Sequence, residues 1–118
     1  MAEWEPMGFG KLMGFKLIQR SPERSEAELV IREELCNRRG VMHGGAVMGW
    51  ADTMGGMTAS AALAHGQVTA TIESKTNFFA PIPKGDIARA VCSRCTRAVT
   101  PSCCRPTSPA ATARSPPW

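Results

Sequence analysis

Apolar and polar positions alternate in two short runs near the start of the chain. In residues 14–21, Phe15, Leu17 and Gln19 share one face while Lys16, Ile18 and Arg20 share the other. This period of two predicts a half-buried strand. Ser21-Pro22-Glu23 supplies turn chemistry, and Ala27, Leu29 and Ile31 then alternate with Glu28, Val30 and Arg32 to predict a second strand. The polar, glycine-broken stretch 37–45 (NRRGVMHGG) reads as a loop. From about residue 44 to 63 the chain is rich in Ala, Met and Gly, which predicts one buried helix. Gly49, Gly55 and Gly56 each cost that helix about 1 kcal/mol against Ala, so their presence predicts a neighbouring backbone close by. After His65-Gly66, the run 68–81 (VTATIESKTNFFAP) predicts a third strand, closed by Pro81, Pro83 and a Lys84-Gly85-Asp86 turn. Strand, strand, buried helix, strand is an α+β pattern, an antiparallel sheet wrapped on one helix. It needs more strands, and the pattern offers no further one.

Charge and composition divide the chain. Residues 1–90 hold ten Lys/Arg and ten Asp/Glu, so the net +4 comes entirely from Arg94, Arg97, Arg105 and Arg114. Basicity confined to a tail with no aromatic residue before Trp118 argues against nucleic acid as partner. The helical window 44–64 has transmembrane length. Asp52 near its centre and its small rather than greasy residues argue against a span. The start, MAEWEPMGFG, has neither a basic nor an apolar leader region, and a cytoplasmic protein is expected. Cys92 and Cys95 form a CxxC, but Cys103 and Cys104 are adjacent and no His accompanies them. That departs from structural-zinc spacing, so no metal is expected.

Residues 91–118 use only Val, Cys, Ser, Arg, Thr, Ala, Pro and Trp. A segment this biased reads as a disordered, low-complexity tail following a partial domain at 1–90, and its Cys content is foreign to ordinary linkers. A shifted reading frame in a GC-rich gene accounts for it. With each new codon built from the last base of one codon and the first two of the next, permitted choices from Arg94 onward give LHPGRHAVVLQTDITRGDGKVAA. Most first bases are free, so the string is compatible rather than decoded, although the leucine at the Cys103 and Cys104 junction is forced. It alternates like two strands around an Asp-Gly turn, the strands that the first 90 residues lack. A natural basic tail is the alternative.

The chemistry concentrates in Asn37-x5-His43-Gly44-Gly45-x6-Asp52. Gly44 and Gly45 open the helix, where free amides and the positive end of the dipole await a partner. Glycine lets a ligand approach such an amide closely. With the Asn37 side chain it could polarise a thioester carbonyl and stabilise the oxyanion that develops there. Asp52, about two turns along among Trp50, Ala51, Met54 and Met57, is a candidate general base or nucleophile in apolar surroundings. Each part has a plainer reading: His43 bonding backbone, the glycines as loop punctuation, Asn37 stabilising a turn.

NRRGVMHGGAVMGWADTMGG carries the N-x(5)-HGG-x(6)-D signature, and TIESKTNFFAPIPKGD follows the form T-[VI]-E-x-K-x-N-F-x-x-P. Together they resemble the PaaI-like branch of the hotdog thioesterases, named for phenylacetate degradation, over roughly residues 8–88. The resemblance implies a hotdog fold, a long central helix wrapped by an antiparallel sheet, here with its closing strands missing. It implies a homodimer, often paired into a homotetramer, with the site at the dimer interface. Asn37 and the His43-Gly44 turn of one subunit would face Asp52 of the other. Gly44 and Asn37 would polarise the carbonyl, Gly45 would contact substrate, and His43 would position the loop. Asp52 would activate water or attack directly, and Thr71 would help hold the water. Glu73 matches the motif without a catalytic role. The implied activity is hydrolysis of a small aromatic or medium-chain acyl-CoA, with no cofactor beyond the coenzyme A of the substrate. A non-catalytic module that binds acyl-CoA or a partner subunit is the alternative.

Overall fold

A computed structural model describes residues 4–94 and the backbone of 103–107. The elements run α1 (Phe9–Met13), β1 (Lys16–Arg20), β2 (Arg24–Val30), a 3-10 turn (Glu33–Leu35), α2 (Gly44–Ser60), β3 (Ile87–Ser93) and β4 (Cys103–Thr107). The strands form one antiparallel sheet in the order β1-β2-β3-β4. The α+β expectation of one long helix against an antiparallel sheet therefore holds, as do both early strands and the helix.

The core explains the pairing. Val47, Trp50, Met54 and Met57 recur at helical spacing on α2 and are buried. They share one core cluster with Ala27, Leu29 and Ile31 from β2 and its end, and with Ala88, Ala90 and Cys92 from β3. The register sets Ala27 opposite Ala90, Leu29 opposite Ala88 and Ser25 opposite Cys92. Small residues on the sheet leave room for Trp50 and the methionines, so large and small side chains fill one layer together. β3 escapes sequence reading because its inward residues are only Ala and Cys, a weak apolar signal. α1 is likewise absent from the sequence pattern, being a single five-residue turn of helix.

Three expectations are corrected. The run 68–81 is not a strand: it makes no backbone–backbone hydrogen bond with another described residue, and Val68, Ile72, Phe78 and Phe79 are exposed. Period-two patterning gives only a propensity, whereas a strand requires an edge to pair with, and this segment pairs with neither β1 nor β4. Gly49 and Gly56 do not meet neighbouring backbone among the described residues. A Cβ at Gly49 would lie 2.9 Å from the Phe9 ring, and one at Gly56 would meet nothing within 4 Å. Asp52 is not held among apolar side chains but is exposed. Two residues advance the helix by about 200°, so Asp52 points away from the sheet-facing Trp50.

β3 continues past the boundary expected at residue 90, carrying buried Cys92 into the core. The backbone of Cys103–Thr107, within the expected tail, forms β4, with Pro106 opposite Ala90. β4 is an edge strand, the position where a sheet tolerates proline. Residues 95–102 and 108–118 lie outside the described residues, and most of the tail expectation falls on them. Among the described residues no helix is long and apolar enough to cross a membrane.

Candidate active site

The loop before α2 is a small hairpin. Cys36 bridges Met42, the Asn37 amide donates to the Val41 carbonyl at 2.9 Å, and the His43 amide donates to that of Leu35 at 2.8 Å. Its tip is the turn Asn37-Arg38-Arg39-Gly40, closed by Gly40 N–H to Asn37 O at 3.1 Å, with Gly40 at φ 72°. That left-handed backbone needs glycine. The turn is fastened from outside by Lys84 N–H to Gly40 O at 2.8 Å and by a bridge from Val41 to Pro83. Asn37 Oδ1 accepts the Arg39 amide at 2.9 Å. Since a backbone amide can only donate, the atom facing it is the oxygen, and the side-chain NH2 remains a donor. The plainer reading of Asn37 as a turn stabiliser is thus realised without using up that donor.

His43 is the N-cap of α2. Its Nδ1 accepts the Gly45 amide at 2.8 Å, which places the proton of the neutral ring on Nε2. The His43 carbonyl accepts the amides of Ala46 and Val47 at 2.9 and 3.0 Å. The Gly45 amide is therefore committed within the loop. One amide of the first turn is left over: Gly44 N–H has no hydrogen-bond partner among the described residues. It sits at the positive end of a 17-residue helix. The Phe78 ring lies beside it, 3.5 Å from where a Gly44 Cβ would be. Sequence reading did not single out Phe78. The signal was the Phe78-Phe79 pair, which breaks the alternation of the preceding run.

Asp52 lies on the solvent side of α2, and Thr71 Oγ1 donates to its Oδ1 at 2.6 Å. The structure thus brings Asp52 together with Thr71, and His43 with Gly45. Within one chain it does not bring Asp52 to Gly44, because eight residues of helix separate them by about 12 Å along the axis. Carbonyl polarisation and attack on that carbonyl need groups within about 3–3.5 Å of the reacting atoms.

Comparison with known proteins supplies the family. The thioesterase superfamily model matches residues 39–99, more than half of the chain. A protein of Saccharolobus solfataricus named "Putative esterase" is 38% identical over 76 residues, 64% of this chain and 53% of that protein. The match thus spans about half the length of that curated relative. Among solved structures, AziG of S. sahachiroi superposes with a TM-score of 0.82 at 19% identity, covering 89% of this chain and 86% of that one. The E. coli PaaI protein from the phenylacetic acid degradation operon gives 0.74 at 16% identity, covering 86% and 76%. At such identities the structures establish a shared fold, and with the family match over residues 39–99 they establish that this chain belongs to the thioesterase superfamily and has its hotdog fold.

Proposed function

We propose that this chain hydrolyses the thioester of an acyl-CoA, with a small aromatic or medium-chain acyl group, as a PaaI-like cytoplasmic homodimer or dimer of dimers. The observation that carries the reading is the Gly44 amide at the start of α2, which has no partner among the described residues. Gly44 N–H and the Asn37 side-chain NH2 would donate to the thioester carbonyl, where negative charge develops as it is attacked. Asp52, oriented by Thr71, would take a proton from water as the water oxygen bonds to the carbonyl carbon. Collapse of the tetrahedral intermediate then breaks the carbon–sulfur bond, the proton held by Asp52 passes to the departing sulfur, and CoA and the free acid are released. Direct attack by Asp52, followed by hydrolysis of the mixed anhydride, gives the same products.

The span of about 12 Å between Gly44 and Asp52 in one chain supports a site shared by two copies, the Asp52 of one facing the Gly44 of the other. The exposed run from Val68 to Phe79 supports the same assembly. It offers backbone unpaired among the described residues and apolar side chains that a second chain can cover.

The test is thiol release from phenylacetyl-CoA and medium-chain acyl-CoAs by the full chain and by Asp52→Asn. Asparagine keeps an acceptor for Thr71 but cannot take a proton. Turnover is expected to fall by about 100-fold or more while CoA still binds. Equal turnover by the two proteins would remove Asp52 from the chemistry, and release by neither would favour a binding module.

A further inference from the structure

The turn that presents Asn37 also carries two guanidinium groups to which the reaction assigns nothing. Arg38 and Arg39 are exposed, and neither has an ion-pair or hydrogen-bond partner for its side chain among the described residues. Other arginines are engaged. Arg24 and Arg89 hold Glu26, Arg32 donates to the Met13 and Leu12 carbonyls, and Arg20 donates to Ser60. The carboxylates of the preceding 3-10 turn are also taken, Glu33 by Lys84 at 3.9 Å and Glu34 by Arg32 at 3.7 Å. Two adjacent cations therefore stand on a turn whose backbone is pinned at four points: Asn37 Oδ1, Gly40 N–H, Lys84 N–H and the Val41–Pro83 bridge.

We propose that Arg38 and Arg39 bind the phosphate groups of the substrate's thiol carrier. The inference rests on the acyl-CoA reading above and adds what recognises the carrier. Coenzyme A bears its pyrophosphate and ribose phosphate at the end of a flexible arm, away from the sulfur. Its anionic groups must therefore find cations at a distance from the carbonyl site. Arg39 and Arg38 stand five and six residues before Gly44, no more than about 20 Å even of extended chain, so one ligand can reach Gly44 with its carbonyl and the arginines with its phosphates. Guanidinium is suited to this task, since its planar donor fork matches phosphate oxygens two at a time. Like charges held side by side on a rigid turn also gain from an incoming anion.

The experiment compares calorimetric binding of CoA and of pantetheine, which has the thiol arm without the phosphates, to the full chain at low and high salt. The wild-type chain is expected to prefer CoA, with a preference that weakens as salt screens it. In Arg38→Gln/Arg39→Gln the CoA affinity falls by roughly tenfold, and the discrimination between the two ligands collapses. Arg38→Lys/Arg39→Lys retains part of it. Lys11→Gln/Lys16→Gln, an equal loss of charge on α1 and β1, leaves the discrimination in place. Wild-type discrimination in the glutamine double variant, or no preference for CoA in the wild type, overturns the proposal. Because binding is read without turnover, the two readings fail separately. A chain that discriminates through these arginines yet releases no thiol sinks the hydrolase reading and leaves the phosphate site standing.

Discussion

His43 caps the helix that opens the candidate site. By accepting the Gly45 amide at Nδ1 and two further amides at its carbonyl, it satisfies three of the first four donors of α2. Gly44 is the amide that remains. Deleting the imidazole would release a second donor, remove a helix cap and loosen the loop that carries Asn37. We expect His43→Ala to lose about 1 kcal/mol of stability in urea denaturation and to lower kcat. His43→Asn, which restores a short capping acceptor, should recover the stability and much of the rate. If Asn rescued stability but none of the rate, the imidazole would have a chemical role beyond capping. The fixed spacing from Asn37 through His43 to Asp52 was legible in the sequence because it is a local pattern. That Gly45 is spent on its own cap was not, since the sequence does not say which of two adjacent amides a side chain will take.

Among the elements, β1, β2 and α2 were legible because their periods, two for the strands and 3.6 for the helix, are written in residues of contrasting polarity. β3 was not, because Ala88, Ala90 and Cys92 contrast weakly with their neighbours, and the run 68–81 misled because patterning does not name a pairing partner. The outer face of the β2–β3 pair carries a feature that patterning would have placed in solvent. Glu26 is buried there under Arg24 and Arg89, one from its own strand and one from β3. The hydrogen bonds from Arg89 and then Arg24 hold the Glu26 carboxyl below its ordinary value of 4.5, against the opposing effect of burial. The same contact with Glu26 raises Arg89. For a carboxyl whose pKa is depressed on folding, the stabilisation is present in full above the unfolded value and is lost as pH falls through the folded one. Urea midpoints of wild type and Glu26→Gln should therefore differ most near neutral pH and converge below pH 4.5. A gap that persisted in acid would mean that Glu26 contributes through packing and not through its charge.

At the scale of the whole molecule, the question is where the halves of the site meet. The Gly44 amide and the Asp52–Thr71 pair are each well formed, yet one helix holds them about 12 Å apart. A two-fold dimer solves this only if each site takes its amide and Asn37 from one chain and its carboxylate from the other. Complementation tests that arrangement directly. Asn37→Ala and Asp52→Asn should each be nearly inactive as homodimers. When the two chains are co-expressed in equal amounts, half of the dimers are mixed. In a mixed dimer one site inherits both lesions and the other inherits neither, so activity should return to about a quarter of wild type. A site assembled within a single chain gives no such recovery, because every copy of it would still carry one lesion. Recovered thiol release near a quarter of wild type in the co-expressed pool, and near half on purified mixed dimers carrying two different tags, would place the catalytic groups across the interface; none would confine them to one protomer and require a different partner for the Gly44 amide.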